Sequence, residues 1–498
     1  MTQYIVSPDG SGDFTTLAAA AKAVRPGDIV AIKPGVYRER LVANMAGVTW
    51  QAAAGAAAGS VVIDGEWNGR DIYPAPGQIT VGAEGVVLRD LTVIRAAGDG
   101  IAVGRGGHES IIERCRVHGA ASGGIILNPT GEVLRGVLVT ECMISEAGSA
   151  WAVRRSGGVS GSLNIIRGEA CVVRKTVVCY GWGEGINIGK GSRRCVVEAC
   201  TVFDNAHLGI YFNRSQECEA RNNVVFLTGY QPRQVGRADW PSGIIIGDEV
   251  GEKANQFDHS RANRIVNNLV VNAGTLIAVR NNAADDGYDT QIDEETLIAH
   301  NTLVAGPCTT KGINIVPNQV GRPHGRATIR DNAVHFEHAA AGGQIAAAPG
   351  GLNWQRNAWS RRPPAVVAGE EDIVGFQLSN PGAALGNAYP KATANISPDN
   401  YRPPADSPLL GAATNGGNVG AFGAAGDRPE DPPTDPPDEP EWFKGFRQQT
   451  AEALEALERV AAANATALAG QESELGQIGA RVTTLERQMT YLAALPEG

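Results

Sequence analysis

The sequence predicts an all-β solenoid with three short strands per coil, and two periodic patterns and a composition predict it. The first pattern is a ladder of single positions: Leu91, Cys115, Cys142, Thr176, Cys200, Asn223, Asn268, Asn301, Asn332 and Asn357. Most rungs have an aliphatic residue three positions before and another two positions after, as Val197 and Val202 flank Cys200. Aliphatics on both sides of one fixed polar or thiol position read as two short strands joined by a tight bend. The second pattern follows about nine residues later, as Gly100-Ile101, Gly124-Ile125, Gly185-Ile186 and Gly209-Ile210, then Gly243-Ile244 and Gly312-Ile313 after longer loops. It adds a third strand to each coil. The composition agrees: 63 glycines and 6% aromatic residues suit a turn-rich β architecture better than a helical one.

Each coil is too small to bury its own apolar face, so neighbouring coils must share one continuous interior. Asparagines stacked at the bend can hydrogen-bond to the coils on either side, offsetting the burial of amide and backbone groups. Cys115, Cys142 and Cys200 occupy the same stack and are expected to be small core residues rather than metal ligands. With no basic and apolar leader in MTQYIVSPDGSGDFTT, no secretion signal is expected, and the eight cysteines are expected as reduced thiols. A net charge of -10 argues against a protein held to nucleic acid by phosphate contacts. No apolar run is long enough to span a membrane.

With these motifs in place, residues 1–425 resemble the right-handed parallel β-helix proteins of the pectate-lyase-like superfamily. The resemblance rests on the asparagine positions in RNNVVF, VNNLVV, AHNTLV and RDNAVH and on the Gly-Ile strands. The opening SPDGSGDFTTLAAAAKAV is similar to the start of many such proteins, and the resemblance implies an amphipathic capping helix near Thr15–Val24. The segment SPLLGAATNGGNVGAF is similar to their closing segment. The Gln/Asp stretches of pectin methylesterases, the paired Asp and Arg-x-Lys of polygalacturonases and the Asp-Pro-His of alginate epimerases are not found.

The same resemblance implies a sugar-binding groove on the Gly-Ile strands and on the loops that enter them. The two long insertions, EAGSAWAVRRSGG and LTGYQPRQVGRADWPSG, lie just before such strands and combine Arg with Trp. Long excursions from a regular scaffold often carry function. Their Trp151 and Trp240 can stack on sugar rings and Arg237 can fork onto a carboxylate. On the strands, Asn187, Lys190, Asn213, Asp248 and Arg280 alternate with apolar residues and are candidate substrate contacts. Glu184, His207, Tyr211 and Arg214 are the candidate catalytic residues. His207, Tyr211, Lys190 or Arg214 can serve a β-elimination as base or as partner of a uronate carboxylate. A hydrolase would need two carboxylates about 5–9.5 Å apart, and Glu184 with Asp248 or Glu249 is the available combination. Six acids between Asn281 and Glu295 make Asp285–Glu295 a candidate calcium loop, without the EF-hand pattern. No other metal or cofactor is expected.

Composition changes at residues 426–441, where DRPEDPPTDPPDEPE packs six prolines and seven acids into fifteen residues. That is an extended spacer without a core. Beyond it, residues 442–495 carry strict a/d spacing, for example Leu475, Ile478, Val482, Leu485, Met489 and Leu492, interrupted by the polar core positions Asn464 and Gln471. The pattern reads as a coiled coil whose polar layers set register. A β-helix, a stiff linker and an oligomerising helix resemble phage tailspikes and fibres. That resemblance implies a homotrimer, attachment to other virion proteins through the C-terminal helix, synthesis in host cytoplasm and recognition of bacterial surface polysaccharide. Tailspikes are usually anchored by a domain ahead of the β-helix, whereas this sequence starts at its expected capping segment, so the C-terminal helix is the expected anchor. A polysaccharide lyase or glycoside hydrolase of the same fold is the alternative.

Overall fold

The computed structural model describes residues 1–68, 77–149, 161–228, 240–249, 259–280, 290, 292–317, 324–382 and 398–421. The expected spacer and coiled coil lie outside them, as do Trp151, Arg237 and most of the acidic loop. The chain winds into a parallel β-helix whose coils contribute to three sheets. Sheet 1 has thirteen strands, from Gln3–Val6 to Asn353–Gln355; sheet 2 also has thirteen, from Gly35–Tyr37 to Ile373–Val374; sheet 3 has eleven, from Leu41–Ala43 to Gln344–Ala347. All strand pairs between successive coils are parallel, so the register can be followed through the stack. In sheet 2, Arg116, Met143, Val177, Thr201, Val224, Leu269 and Thr302 pair in turn. These are the residues immediately after the predicted rungs, and the ladder is therefore in register.

The bend between sheets 1 and 2 has a repeating backbone solution. The residue just before each rung is left-handed: Lys175, Ala199, Asn222, Asn267 and His300 have φ between 48° and 58°. This one residue turns the chain and drops the next side chain inside. The rungs then bond along the stack. The Asn268 Oδ1 accepts from the backbone N–H of Asn223 at 3.0 Å and from its Nδ2 at 2.9 Å. Asn301, Asn332 and Asn357 repeat the arrangement for the coil before each of them. Cys200 N–H donates to Asn223 Oδ1 at 2.9 Å, which continues the ladder into the cysteine rungs. The series ends where Asn357 N–H donates to Asp372 Oδ1.

The corner into sheet 3 is set by sterics. A Cβ on Gly185 would lie 2.5 Å from Val202 Cγ1 and 2.6 Å from the carbonyl oxygen of Gly209. The Gly-Ile motif thus marks where the coil above and a sheet 2 valine leave no room for a side chain. Sheet 3 also contains strands without that signature, and two of them, Leu163–Ile166 and Thr275–Val279, lie between Gly-Ile coils. In the first of them Leu163 pairs with Ile186, and in the second Ile277 pairs with Ile244.

The N-terminal cap is the helix α1, Leu17–Ala23, two residues shorter than the expected segment at its start and one at its end. Thr16 accepts from Ala19 N–H, and Glu39 accepts from the N–H groups of Leu17 and Ala18, satisfying the first turn. Leu17 and Ala20 close the open end of the interior. Residues 398–421 run along the outside of sheet 2, where Tyr401, Leu409 and Val419 cover Phe226, Leu269 and Val304.

All eight cysteines are free and buried. Burial pushes the thiols of Cys115 and Cys200 up to about 12. The thiolate is the reactive form, so a colorimetric thiol reagent should label none of the eight in native protein near pH 8 and all of them in denaturant. Asn268→Ala should remove the acceptor for two buried donors of Asn223 and cost about 3 kcal/mol, measured as a shift of the urea unfolding midpoint at unchanged slope.

Candidate functional site

The candidate residues are carried by consecutive strands of sheet 3, Glu184–Gly189, Leu208–Asn213 and Ser242–Ile246. Ile186, Ile188, Ile210 and Phe212 point inward to the core. The intervening positions form one outward file, in which Ile126, Asn164, Asn187, Tyr211, Ile245 and Ala278 pair in sequence. The Gly-Ile pattern missed Asn164, because its coil begins SLNII; register alone places it beside Asn187.

The structure brings Glu184 and His207 together. Glu184 pairs with Leu208 across the strands, so His207 sits at the start of the next coil. Its Nδ1 is 3.2 Å from Glu184 Oε1, with both side chains largely buried, 11% and 6% exposed. The second oxygen of Glu184 and Nε2 of His207 are buried without a hydrogen-bond partner among protein groups. A carboxylate that accepts from Nδ1–H fixes the tautomer and leaves Nε2 as a lone-pair acceptor. This is the arrangement of an oriented general base.

The other two candidate catalytic residues are elsewhere. Tyr211 is four residues along the strand from His207, in an apolar outer cluster with Leu208, Ile245 and Ala278, and is 1% exposed. It was expected to face solvent; the apolar outward residues of the neighbouring coils bury it instead. Gly247 gives its ring room, since a Cβ there would be 3.3 Å from Tyr211 Cε2. Arg214 lies past the far end of the strand, about 20 Å from His207 at the usual rise of ~3.3 Å per residue. Its backbone N–H donates to Asp248 Oδ1 at 3.0 Å. The four do not form one constellation.

Nor do the carboxylates form a hydrolase pair. Asp248 follows Ser242, the residue level with Glu184, by six positions, which again separates them by about 20 Å along the strand. That exceeds the 5–9.5 Å a glycosidase needs. Asp248 is instead a tie within the fold, accepting from Ser260 N–H at 2.9 Å and Ser260 Oγ at 2.6 Å, with its own N–H donated to Thr290. Asn213 and Glu249 bond reciprocally, side chain to side chain at 3.2 Å and Glu249 N–H to Asn213 Oδ1 at 3.4 Å.

Among the remaining candidate contacts, Asn187 is half-buried, and its Oδ1 has no protein partner. Lys190 is exposed in the turn after its strand, and Arg280 is half-buried just beyond Thr275–Val279. Trp240 packs against the core cluster rather than presenting an open face. Of the acidic loop, Asp293 accepts from the N–H of Ala262 and from Thr296 Oγ1. Among the described residues no group of three or more His, Cys, Asp or Glu is placed to hold a metal ion.

The pairing of Glu184 with His207 makes a measurable coupling. His207→Leu strands a buried carboxylate and should destabilise more than Glu184→Gln, and a double-mutant cycle over the pair should give a coupling of about 1 kcal/mol or more in urea unfolding.

A family model described as the right handed beta helix region matches residues 78–335. No curated protein matches the sequence. Among solved structures the chain is similar to pectate lyase Pel9A, at 14% identity over 85% of this chain and 96% of that one with a TM-score of 0.45. It is similar to a rhamnogalacturonan lyase at 15% identity over 70% and 84% of the two chains, with a TM-score of 0.46. It is similar to the Dettilon tailspike protein at 16% identity over 74% and 67%, with a TM-score of 0.47.

Proposed function

The chain belongs to the right-handed β-helix family, and from that premise we propose that it is a polysaccharide-recognising β-helix serving as an oligomeric virion fibre or spike. One observation carries the location of the glycan face. The links from Met143–Ser145 to Leu163–Ile166, from Val224–Phe226 to Ser242–Ile246, and from Ser242–Ile246 to Arg264–Val266 all enter or leave sheet 3. From Val87–Arg89 to Asn353–Gln355 the bend between sheets 1 and 2 keeps its two-residue form. Variation concentrated around one sheet of a constant scaffold is how binding loops are displayed. Asn187, Lys190 and Arg280 supply hydrogen-bond donors and positive charge at that edge.

The heptads of residues 442–495, joined by the acidic spacer, support assembly into a trimer and attachment to other virion proteins. Three copies would give multivalent grip on a repeating polymer, with a gain of ~10²–10⁴ over one site. Virion residence after synthesis in host cytoplasm belongs to the same proposal.

The Glu184–His207 pair favours a second reading, a lyase of acidic polysaccharide. His207 Nε2 would take the proton beside a uronate carboxylate, and Glu184 would hold the imidazole and stabilise the imidazolium. The experiment is incubation with a panel of acidic bacterial polysaccharides, following unsaturated uronate absorbance and new reducing ends, with light scattering on the same samples. A trimer that binds polymer without products is the expected result. Products that disappear in His207→Asn while binding persists would establish the lyase. A monomer that neither binds nor cleaves would overturn both readings, and deleting residues 441–498 should convert the trimer to monomer.

A further inference from the structure

A cleft of about 750 Å3 lies on the opposite side of the coil from sheet 3, along the bend between sheets 1 and 2. That volume is within the ~300–1,000 Å3 typical of small-molecule sites. Its floor is the outward surface of sheet 1 and the left-handed residues of the bend. Its far wall is the C-terminal segment Asn415–Gly420. The wall is fixed: Thr414 N–H and Gly420 N–H donate to the Oδ1 and carbonyl oxygen of Asp331 at 2.9 and 2.8 Å, and Ala421 N–H donates to Thr302 Oγ1 at 2.8 Å. Gly420 needs its φ of 99° and the space beside Thr302 Oγ1, which a Cβ would approach to 2.7 Å.

We infer that this cleft is a second saccharide site, for a short oligosaccharide carrying one carboxylate per bound unit. Three features on the surface match that chemistry. Val266 and Leu297 give a small apolar floor for the C–H face of a pyranose. Asn222 and Asn267 stand on adjacent coils, about 4.8 Å apart, and line the cleft with Asn415 and Asn418; Asn267 Nδ2 donates to Asn222 Oδ1, which orients the pair and leaves Asn267 Oδ1 and Asn222 Nδ2 for ring hydroxyls. Arg264 supplies the carboxylate partner. It is half exposed, and its Nε is 3.6 Å from Glu219, which orients the guanidinium.

The charge count sets the ligand's charge. Five cations line the cleft, Arg174, Lys175, Arg221, Arg264 and Arg330, against Glu141 and Glu198. Glu219 and Asp331, which hold Arg264 and Arg330 from behind, bring the acids to four and leave an excess of one positive charge. A long polyanion is therefore not the match, and a short uronide of one or two units is. The lining contains no Phe, Tyr or Trp, so a ligand recognised by base stacking has no platform here.

The site is independent of sheet 3, because the solenoid interior separates the two faces. Calorimetric titration of the full chain with digalacturonate, digalactose and inorganic sulfate tests it. Digalacturonate should bind, and Arg264→Gln and Asn267→Ala should each weaken it about tenfold, while the response of sheet 3 to polymer in the same variants stays unchanged. Arg264→Lys should recover only part, since it restores charge without the fork. Arg264 is exposed and Asn267 half-buried, and a melting temperature close to that of the unsubstituted protein confirms folding. Equal affinity for sulfate would reduce the cleft to a simple anion patch and overturn the inference. So would equal affinity for digalactose, no binding of digalacturonate, or affinity unmoved by both substitutions.

Discussion

The regular part of this fold depends on a single left-handed residue at the bend between sheets 1 and 2, repeated in every coil from Asp90 to Arg356. It costs conformational energy at each non-glycine position, roughly 1 kcal/mol, and nothing local repays it. What offsets it is the position that follows. With the chain turned in one residue, the next side chain lies inside, directly under its counterpart in the next coil. Asn223, Asn268, Asn301, Asn332 and Asn357 then link backbone and side chain from coil to coil. The ladder is a cooperative device: each carbonyl oxygen serves two donors of the coil before, so no rung is satisfied alone.

That constraint divides the surface by function. From Val87–Arg89 onward the bend keeps two residues in every coil, and the long excursions fall on the edges of sheet 3. Because the bend always projects its left-handed residue outward, it also forms a column of side chains along the solenoid, and a segment laid beside that column closes a cleft. The glycan face and the cleft are thus two consequences of one backbone rule. They differ in how their chemistry is arranged. On sheet 3 the polar groups are spread along strands. In the cleft, cations, amides and an apolar floor converge.

The separation of Glu184 from Asp248 shows how strand geometry limits chemistry on a β-helix. Residues on one strand are dispersed along its length, whereas residues at the same level of neighbouring coils are close. Glu184 and His207 meet because register places Glu184 level with Leu208. Any further reacting group must come from the same level, not from farther along the strand. Tyr211, though on the same strand, belongs to an apolar patch.

Sequence by itself determined the solenoid, its three strands per coil, the in-register ladder and the buried state of the cysteines, because each depends on a residue type repeating at a fixed place. Gly185 and Asn268 could be read one at a time, since a glycine with no room for Cβ and an amide bonded up and down the stack leave the same mark in every coil. The coils of Leu163 and Ile277 were hidden, because their first strand residue does not follow the Gly-Ile pattern. Tertiary structure alone decided which polar residues share a level, and so joined Glu184 to His207 and parted both from Arg214. It alone brought Asn415 and Asn418 beside Asn222 and Asn267, roughly 150 to 200 positions earlier in the sequence. No period records such a meeting, because it depends on where a closing segment is laid down and on the buried apolar contacts of Tyr401, Leu409 and Val419 that hold it there.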